Sequence, residues 1–154
     1  MAGWLLLAAG IIAADQASKA WILASLRLYE QVVLASFFNI VLVFNSGAAF
    51  SFLADAGGWQ KWFFLVLAGG VVAWLLSLLR QHASERLLPA ALSMIIGGAL
   101  GNAIDRLRFD AVVDFLDFHL GGYHFPAFNI ADSAITVGVA LMLLQQFLQP
   151  KEST

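Results

Sequence analysis

The sequence predicts an α-helical integral membrane protein: four transmembrane helices with a small folded cap on one membrane face. Three observations point there. Of 154 residues, 61% are hydrophobic and only 12% are charged, half of the roughly 25% that a soluble domain carries, so a water-facing surface cannot be built. The mean hydropathy is +0.84. Four apolar segments reach or approach the roughly 20 residues that a helix needs to cross a bilayer. The length suits a single domain, residues 1–154.

The first span is expected at about 4–26, interrupted by Asp15 and Lys19. A cleaved signal peptide is the alternative there. It is disfavoured because the amino end carries no basic residue and an ionisable pair does not suit its apolar core. The second span covers about 62–79, "WFFLVLAGGVVAWLLSLL". The third covers about 87–104, with Pro89 in its first turn, where proline is tolerated. The fourth covers about 130–148 and stops before Pro150.

The connections are unequal. Spans two and three are joined by the short "RQHASER", whereas the other two connections are long and lie on the opposite side. The first long one, Arg27 to Lys61, contains "FFNIVLVFNSGAAFSF", which reads as a strand pair turning at Asn-Ser-Gly. The second, Asp105 to Asn129, holds "VVDFLDFH" and then Gly121-Gly122. Irregular backbone at a membrane persists only when buried in protein or held at the interface, so both connections are expected in one folded cap. Arg80, Arg86 and Lys151 on one side against Arg27, Lys61, Arg106 and Arg108 on the other do not orient the chain.

Composition excludes several functions. A net charge of −2 provides no basic face for nucleic acid. The absence of cysteine removes disulfides, thiolate metal sites and a cysteine nucleophile. His82, His119 and His124 are scattered in sequence, and no metal or other cofactor is expected.

The informative residues are the polar ones in apolar settings. An ionisable group in a span costs a few kcal/mol, so it usually faces protein and has a task. Asp15 and Lys19 share a helix face at i, i+4 and can be a neutralising ion pair, part of a functional site, or both. Gly97 and Gly101 form a small-xxx-small face for close helix packing. Asn102, Asp105 and Arg106 converge on one side of the end of span three. Arg106 could simply snorkel, but that does not require Asn102 one turn deeper. Asp114 lies between Val112-Val113 and Phe115-Leu116, and Asn129 and Asp132 share a side of the first turn of span four. Alone, Asp132 reads as a helix N-cap. Span three exits and span four re-enters on one face, however, so Asp114 and Asp132 can meet. Two close carboxylates in a poorly solvated site share a proton. One can then deprotonate water while the other protonates a carbonyl oxygen, hydrolysing an amide without a covalent intermediate. A glycosidase-like use is open on the same logic. A Ser18–Lys19 dyad is disfavoured because adjacent helical residues point apart. A small transporter or channel subunit using Asp15 and Lys19 as an ion path is the alternative from another class, and a non-enzymatic assembly factor is a third.

Five motifs, in order, carry a family resemblance: "DQASK" (Asp15 to Lys19), "NSGAAFS" (Asn45 to Ser51), "GGALGNAIDR" (Gly97 to Arg106), "VVDF" (Val112 to Phe115) and "FNIADSAI" (Phe128 to Ile135). Over nearly its whole length the chain resembles the bacterial lipoprotein signal peptidases, or signal peptidase II. The resemblance implies an aspartic endopeptidase of the cytoplasmic (inner) membrane. Its four helices would be topped by a small extracytoplasmic β-cradle and a short periplasmic helix, with both termini cytoplasmic and the active site near the extracytoplasmic face. It would cleave prolipoproteins just before a diacylglyceryl-modified cysteine, as a monomer in membrane lipid, without metal or cofactor. Asp114 and Asp132 would be catalytic. Asn45, Asn102, Arg106 and Asn129 would bind substrate or hold the carboxylates. Asp15, with Lys19 and Asp105, would support the site, and Gly47 would let backbone approach the substrate. One departure stands out: members often carry glycine four residues before the first catalytic aspartate, where this chain has Asp110. The segment Asn45 to Gly58 is a candidate closing loop.

Overall fold

The computed structural model describes residues 1–47 and 58–148. Eight elements follow in chain order: α1 (Ala2–Ser25), β1 (Gln31–Ala35), β2 (Phe38–Asn45), α2 (Gln60–Gln81), α3 (Leu87–Phe109), β3 (Val112–Leu120), β4 (Tyr123–His124) and α4 (Ile130–Leu148). All four helices are long and apolar enough to cross a membrane. They coincide with the four expected spans, but α3 runs five residues further than expected, to Phe109. Asp105 and Arg106 therefore sit on helix rather than in the connection.

Helix α3 is the most buried of the four and packs against α1, α2 and α4. Ala8, Val72, Leu75, Leu79, Leu92, Ile95 and Ile96 form the core between them. The outward faces remain apolar: Leu6, Trp21, Val66, Trp74 and Phe147 are all more than half exposed, as suits a lipid solvent. Close approach depends on glycine. A Cβ on Gly98 would lie 2.4 Å from the Ala131 carbonyl oxygen of α4, and one on Gly101 would lie 2.7 Å from the Asp15 carboxylate of α1.

The strands form one antiparallel sheet in the order β1-β2-β3-β4. The second strand expected beyond Asn-Ser-Gly lies outside the described residues. "FFNIVLVFN" supplies a single strand, β2; its hairpin partner β1 precedes it, and Ala35 pairs with Phe38 around a two-residue turn at Ser36-Phe37. The other neighbour of β2 is β3, with Phe38 opposite Phe118 and Asn45 opposite Val112. A pairing between two connections separated by a helix hairpin leaves no signal in a local window of sequence. It does place both long connections at one end of the bundle. Ile22, Leu42, Val113 and Phe115 seat the sheet there. At the other end, the Trp4 indole donates to the Ala83 carbonyl (3.0 Å) and Gln145 to Glu85 (2.7 Å), so the start of α1 and the end of α4 lie with the short loop.

Asp110 ends α3 in the left-handed region, φ 61° and ψ 6°, the conformation that glycine adopts most readily and aspartate tolerates. It forms an ion pair with Lys61. Among the described residues there is no fifth helix, so the short outer helix implied by the resemblance is not found in them. Most of the expected closing loop, residues 48–57, and Lys151 lie outside the described residues.

Candidate active site

Asp114 projects from β3 and Asp132 from the first turn of α4. Local structure explains both placements. Asn129, not Asp132, is the N-cap of α4: its Oδ1 accepts from the Asp132 N–H (2.9 Å), and Asp132 Oδ2 reaches back to the Asn129 N–H (3.3 Å). This reciprocal pair is a capping box, and it leaves Asp132 Oδ1 for the Asn102 amide, which donates to it at 2.7 Å. Reading Asp132 as the cap is thus corrected by three positions. The Asn129 amide donates to Asp114 Oδ1 at 2.7 Å, and also lies 3.2 Å from Asn102 Oδ1 and from the Val113 carbonyl. Asn45, at the end of β2, donates to Asp114 Oδ2 at 3.1 Å, while its own Oδ1 accepts from the Gly47 N–H at 3.0 Å.

Both carboxylates open onto one cleft of about 590 Å³. Asn45, Gly47, Asn102 and Arg106 line its polar side, and Val112, Phe125, Phe128, Ile135 and Val137 are among its apolar walls. A second hollow of about 660 Å³, lined by Ala24 to Glu30, is larger but shallow. It has none of the converging carboxylates and amides, so chemistry rather than volume identifies the site. Arg106 donates to the Gly47 carbonyl (3.0 Å) and stacks its guanidinium 4.7 Å from the Phe64 ring. It is held in place rather than snorkelling freely. Burial, and then the negative charge of Asp132, push the Asp114 carboxyl up to about 7; amide hydrogen bonds from Asn45 and Asn129 and the Lys19 charge oppose them. A group with that pKa can hold and release a proton near neutrality.

Asp15, Lys19 and Asp105 do not line the cleft; they sit buried behind it. Lys19 pairs with Asp15 and Asp105, each at 2.8 Å. Asp15 Oδ1 accepts from the Ala131 N–H of α4 (2.9 Å), and Asp105 Oδ2 accepts from the Val113 N–H of β3 (3.0 Å). The ion cluster therefore ties the two elements that carry the acids to α1 and α3. Sequence reasoning missed Gln16, whose amide donates to Asp105 (2.9 Å), Asp15 (3.1 Å) and the Gly101 carbonyl (3.2 Å). Its position inside "DQASK" was the available signal. Ser18 turns back to its own helix, donating to the Asp15 carbonyl, so no serine–lysine dyad forms. Two of the scattered histidines do meet: His119 and His124 stack at 4.9 Å, and His124 lies 2.9 Å from Asp117. Among the described residues no group of three or more His, Cys, Asp or Glu is arranged to hold a metal.

Fold and cleft together define a multi-pass membrane protein with paired carboxylates at the sheet-capped end of a helix bundle. Comparison with known proteins narrows this class. The sequence pattern of the family described as Signal peptidase (SPase) II matches residues 7–148. The lipoprotein signal peptidase of Azoarcus sp. (strain BH72) is 58% identical over 146 residues, covering 95% of this chain and 83% of the relative. That of Yersinia enterocolitica is 50% identical over 152 residues, covering 98% and 90%. A bacterial membrane enzyme solved by the in meso method at 2.3 Å resolution superposes with a TM-score of 0.86 at 30% identity, covering 100% of this chain and 95% of the other. The chain belongs to the signal peptidase II family, and so is a peptidase.

Proposed function

We propose that Asp114 and Asp132 together carry out the signal-peptide removal from prolipoproteins that family membership assigns to this chain. One observation carries the reading: two carboxylates from separate elements share a single cleft, each held by asparagine amides. In the reaction, the ionised carboxylate takes a proton from a water lying between the pair, and the protonated one donates to the scissile carbonyl oxygen. The tetrahedral intermediate then collapses as a proton passes to the leaving amine. Arg106 and Asn45, at the rim, bind the extended peptide. The apolar walls suit a lipid-modified cysteine, so cleavage falls just before that residue.

The substrate is confined to the membrane plane, which fits a cleft at one end of the bundle. The protein works as a monomer in the bacterial inner membrane. The sheet-capped end faces outward, and the short loop and both termini lie in the cytoplasm. The ion-path alternative is disfavoured because Asp15 and Lys19 are 0% and 2% exposed and bonded to protein partners. The test is to incubate the purified protein with a diacylglyceryl-modified precursor. Release of the signal peptide is expected, chelators should leave the rate unchanged, and Asp114→Asn and Asp132→Asn should each be inactive while still inserted. Full turnover by either variant would refute the reading.

A further inference from the structure

We propose that Lys19 is a positioning residue for the reaction: its ammonium group fixes the Asn102 amide in the orientation that presents an N–H to Asp132. The inference rests on the reading of Asp114 and Asp132 as the reacting pair. An asparagine amide is symmetrical in shape but not in function, since a half-turn exchanges its acceptor for its donors. Lysine removes that ambiguity because an ammonium can only donate.

The geometry around Lys19 is saturated. Its Nζ lies 3.0 Å from Asn102 Oδ1 and 2.8 Å from a carboxylate oxygen of each of Asp15 and Asp105. All three N–H groups thus have an acceptor, and the side chain is 2% exposed. With Oδ1 held by Lys19 and by the Asn129 amide (3.2 Å), Asn102 Nδ2 points at Asp132 Oδ1, 2.7 Å away. Turning the amide over would set its oxygen against a carboxylate and its NH2 against an ammonium. The second amide is fixed differently. Asn129 Oδ1 accepts from the Asp132 backbone N–H at 2.9 Å, so its Nδ2 faces Asp114 by local structure of α4 alone. The direction of one amide is therefore built into the helix start, while that of the other depends on a lysine from a different span. Two carboxylates would suffice to hold a buried ammonium. The third bond connects the ion cluster to the cleft.

A double-mutant cycle tests this. Lys19→Met, Asn102→Leu and their combination are assayed for kcat and KM on a diacylglyceryl-modified precursor, with thermal unfolding followed in detergent. We expect Lys19→Met to lower kcat about 100-fold, the cost of a misplaced group, with KM changed less than about threefold. The combined variant should fall no more than about threefold below the worse single variant. A combined loss equal to the product of the two single losses, or a Lys19→Met variant with reduced stability but normal kcat, would overturn the proposal. If Lys19→Met does not fold, the cycle is run with Lys19→Met and Asp105→Asn together. That background keeps one formal negative charge in the cluster, as in the native protein, whose two carboxylates and one ammonium also leave one. Asp114→Asn is assayed beside it. If it retains turnover, the reading of the reacting pair fails. If it is inactive while the cycle is multiplicative, only the role of Lys19 fails.

Discussion

Two acidic clusters share the sheet-capped end of the bundle, one fully buried and one opening onto the cleft, and they are built differently. In the first, Asp15 and Asp105 flank Lys19, and each of their oxygens also meets an N–H of Gln16, Ala131 or Val113. In the second, Asp114 and Asp132 accept from asparagine amides and a backbone N–H. The nearby cation of that cleft, Arg106, donates to the Gly47 carbonyl instead. A carboxylate paired with a buried ammonium is a brace. A carboxylate held by neutral donors, beside a second carboxylate, is free to exchange a proton. On the proposed reading of Asp114 and Asp132, the difference teaches that one end of a bundle can hold acids for two purposes, bracing and proton exchange.

The comparison can be broken from either side. Removing one acid of the cleft should have the largest effect. Asp132→Asn, which preserves shape, should lower turnover by about 10⁴-fold, the upper range for general acid–base catalysis, with a thermal midpoint close to native. Removing one acid of the brace should do the reverse in kind. Asp15→Ala leaves Lys19 short of a partner and the Ala131 N–H unsatisfied, and should destabilise the fold by about 3–5 kcal/mol, read as a lower midpoint on thermal unfolding in detergent. Gly101→Ala sharpens the point. Its Cβ would press on Asp15 Oδ2 at 2.7 Å, an overpacking cost of about 1–3 kcal/mol, with activity lost only in proportion to folded protein. The smallest effect is expected at the edge of the site. Asp110→Gly relieves a left-handed backbone but gives up an exposed ion pair worth little in water. It should raise stability by less than about 1 kcal/mol and leave turnover unchanged.

The cleft should also leave a pH signature in stability. The folded-state pKa of Asp114 is raised above its ordinary value, to about 7. The native state therefore binds more protons than the unfolded state between about pH 4 and pH 7, and stability falls as pH rises through that window. The midpoint of Asp114→Asn minus that of the native protein should grow over the same interval and then level off.

Much of the fold was legible because lipid imposes a simple rule. A span must be long and apolar, and four segments satisfied it within a few residues. The acids were legible for the same reason, since Asp114 and Asp132 stand out against Val112-Val113, Phe115-Leu116 and the run that follows Ile130. What could not be read was non-local. The β2–β3 register depends on residues some 75 positions apart, so Asn45 could be placed beside Asp114 only through the family resemblance. Gln16 carries a weaker sequence signal because a neutral amide in a span costs less than an ion, although it touches both carboxylates of the brace. The cap reading of Asp132 alone misplaces the cap because two capping residues three positions apart give the same local sequence signal. Only geometry shows that Asn129 takes the cap and Asp132 the third helical position.

The most direct test of the central claim, that Asp114 and Asp132 form one poorly solvated pair, is a pH titration of the Asp114 carboxyl carbon by NMR in selectively labelled protein, native and Asp132→Asn. The account predicts a midpoint near pH 7 in the native protein. In the variant the midpoint should move down, because the neighbouring charge is gone, yet stay above the ordinary value because burial remains. A midpoint near pH 4 in both proteins, unmoved by the substitution, would contradict it.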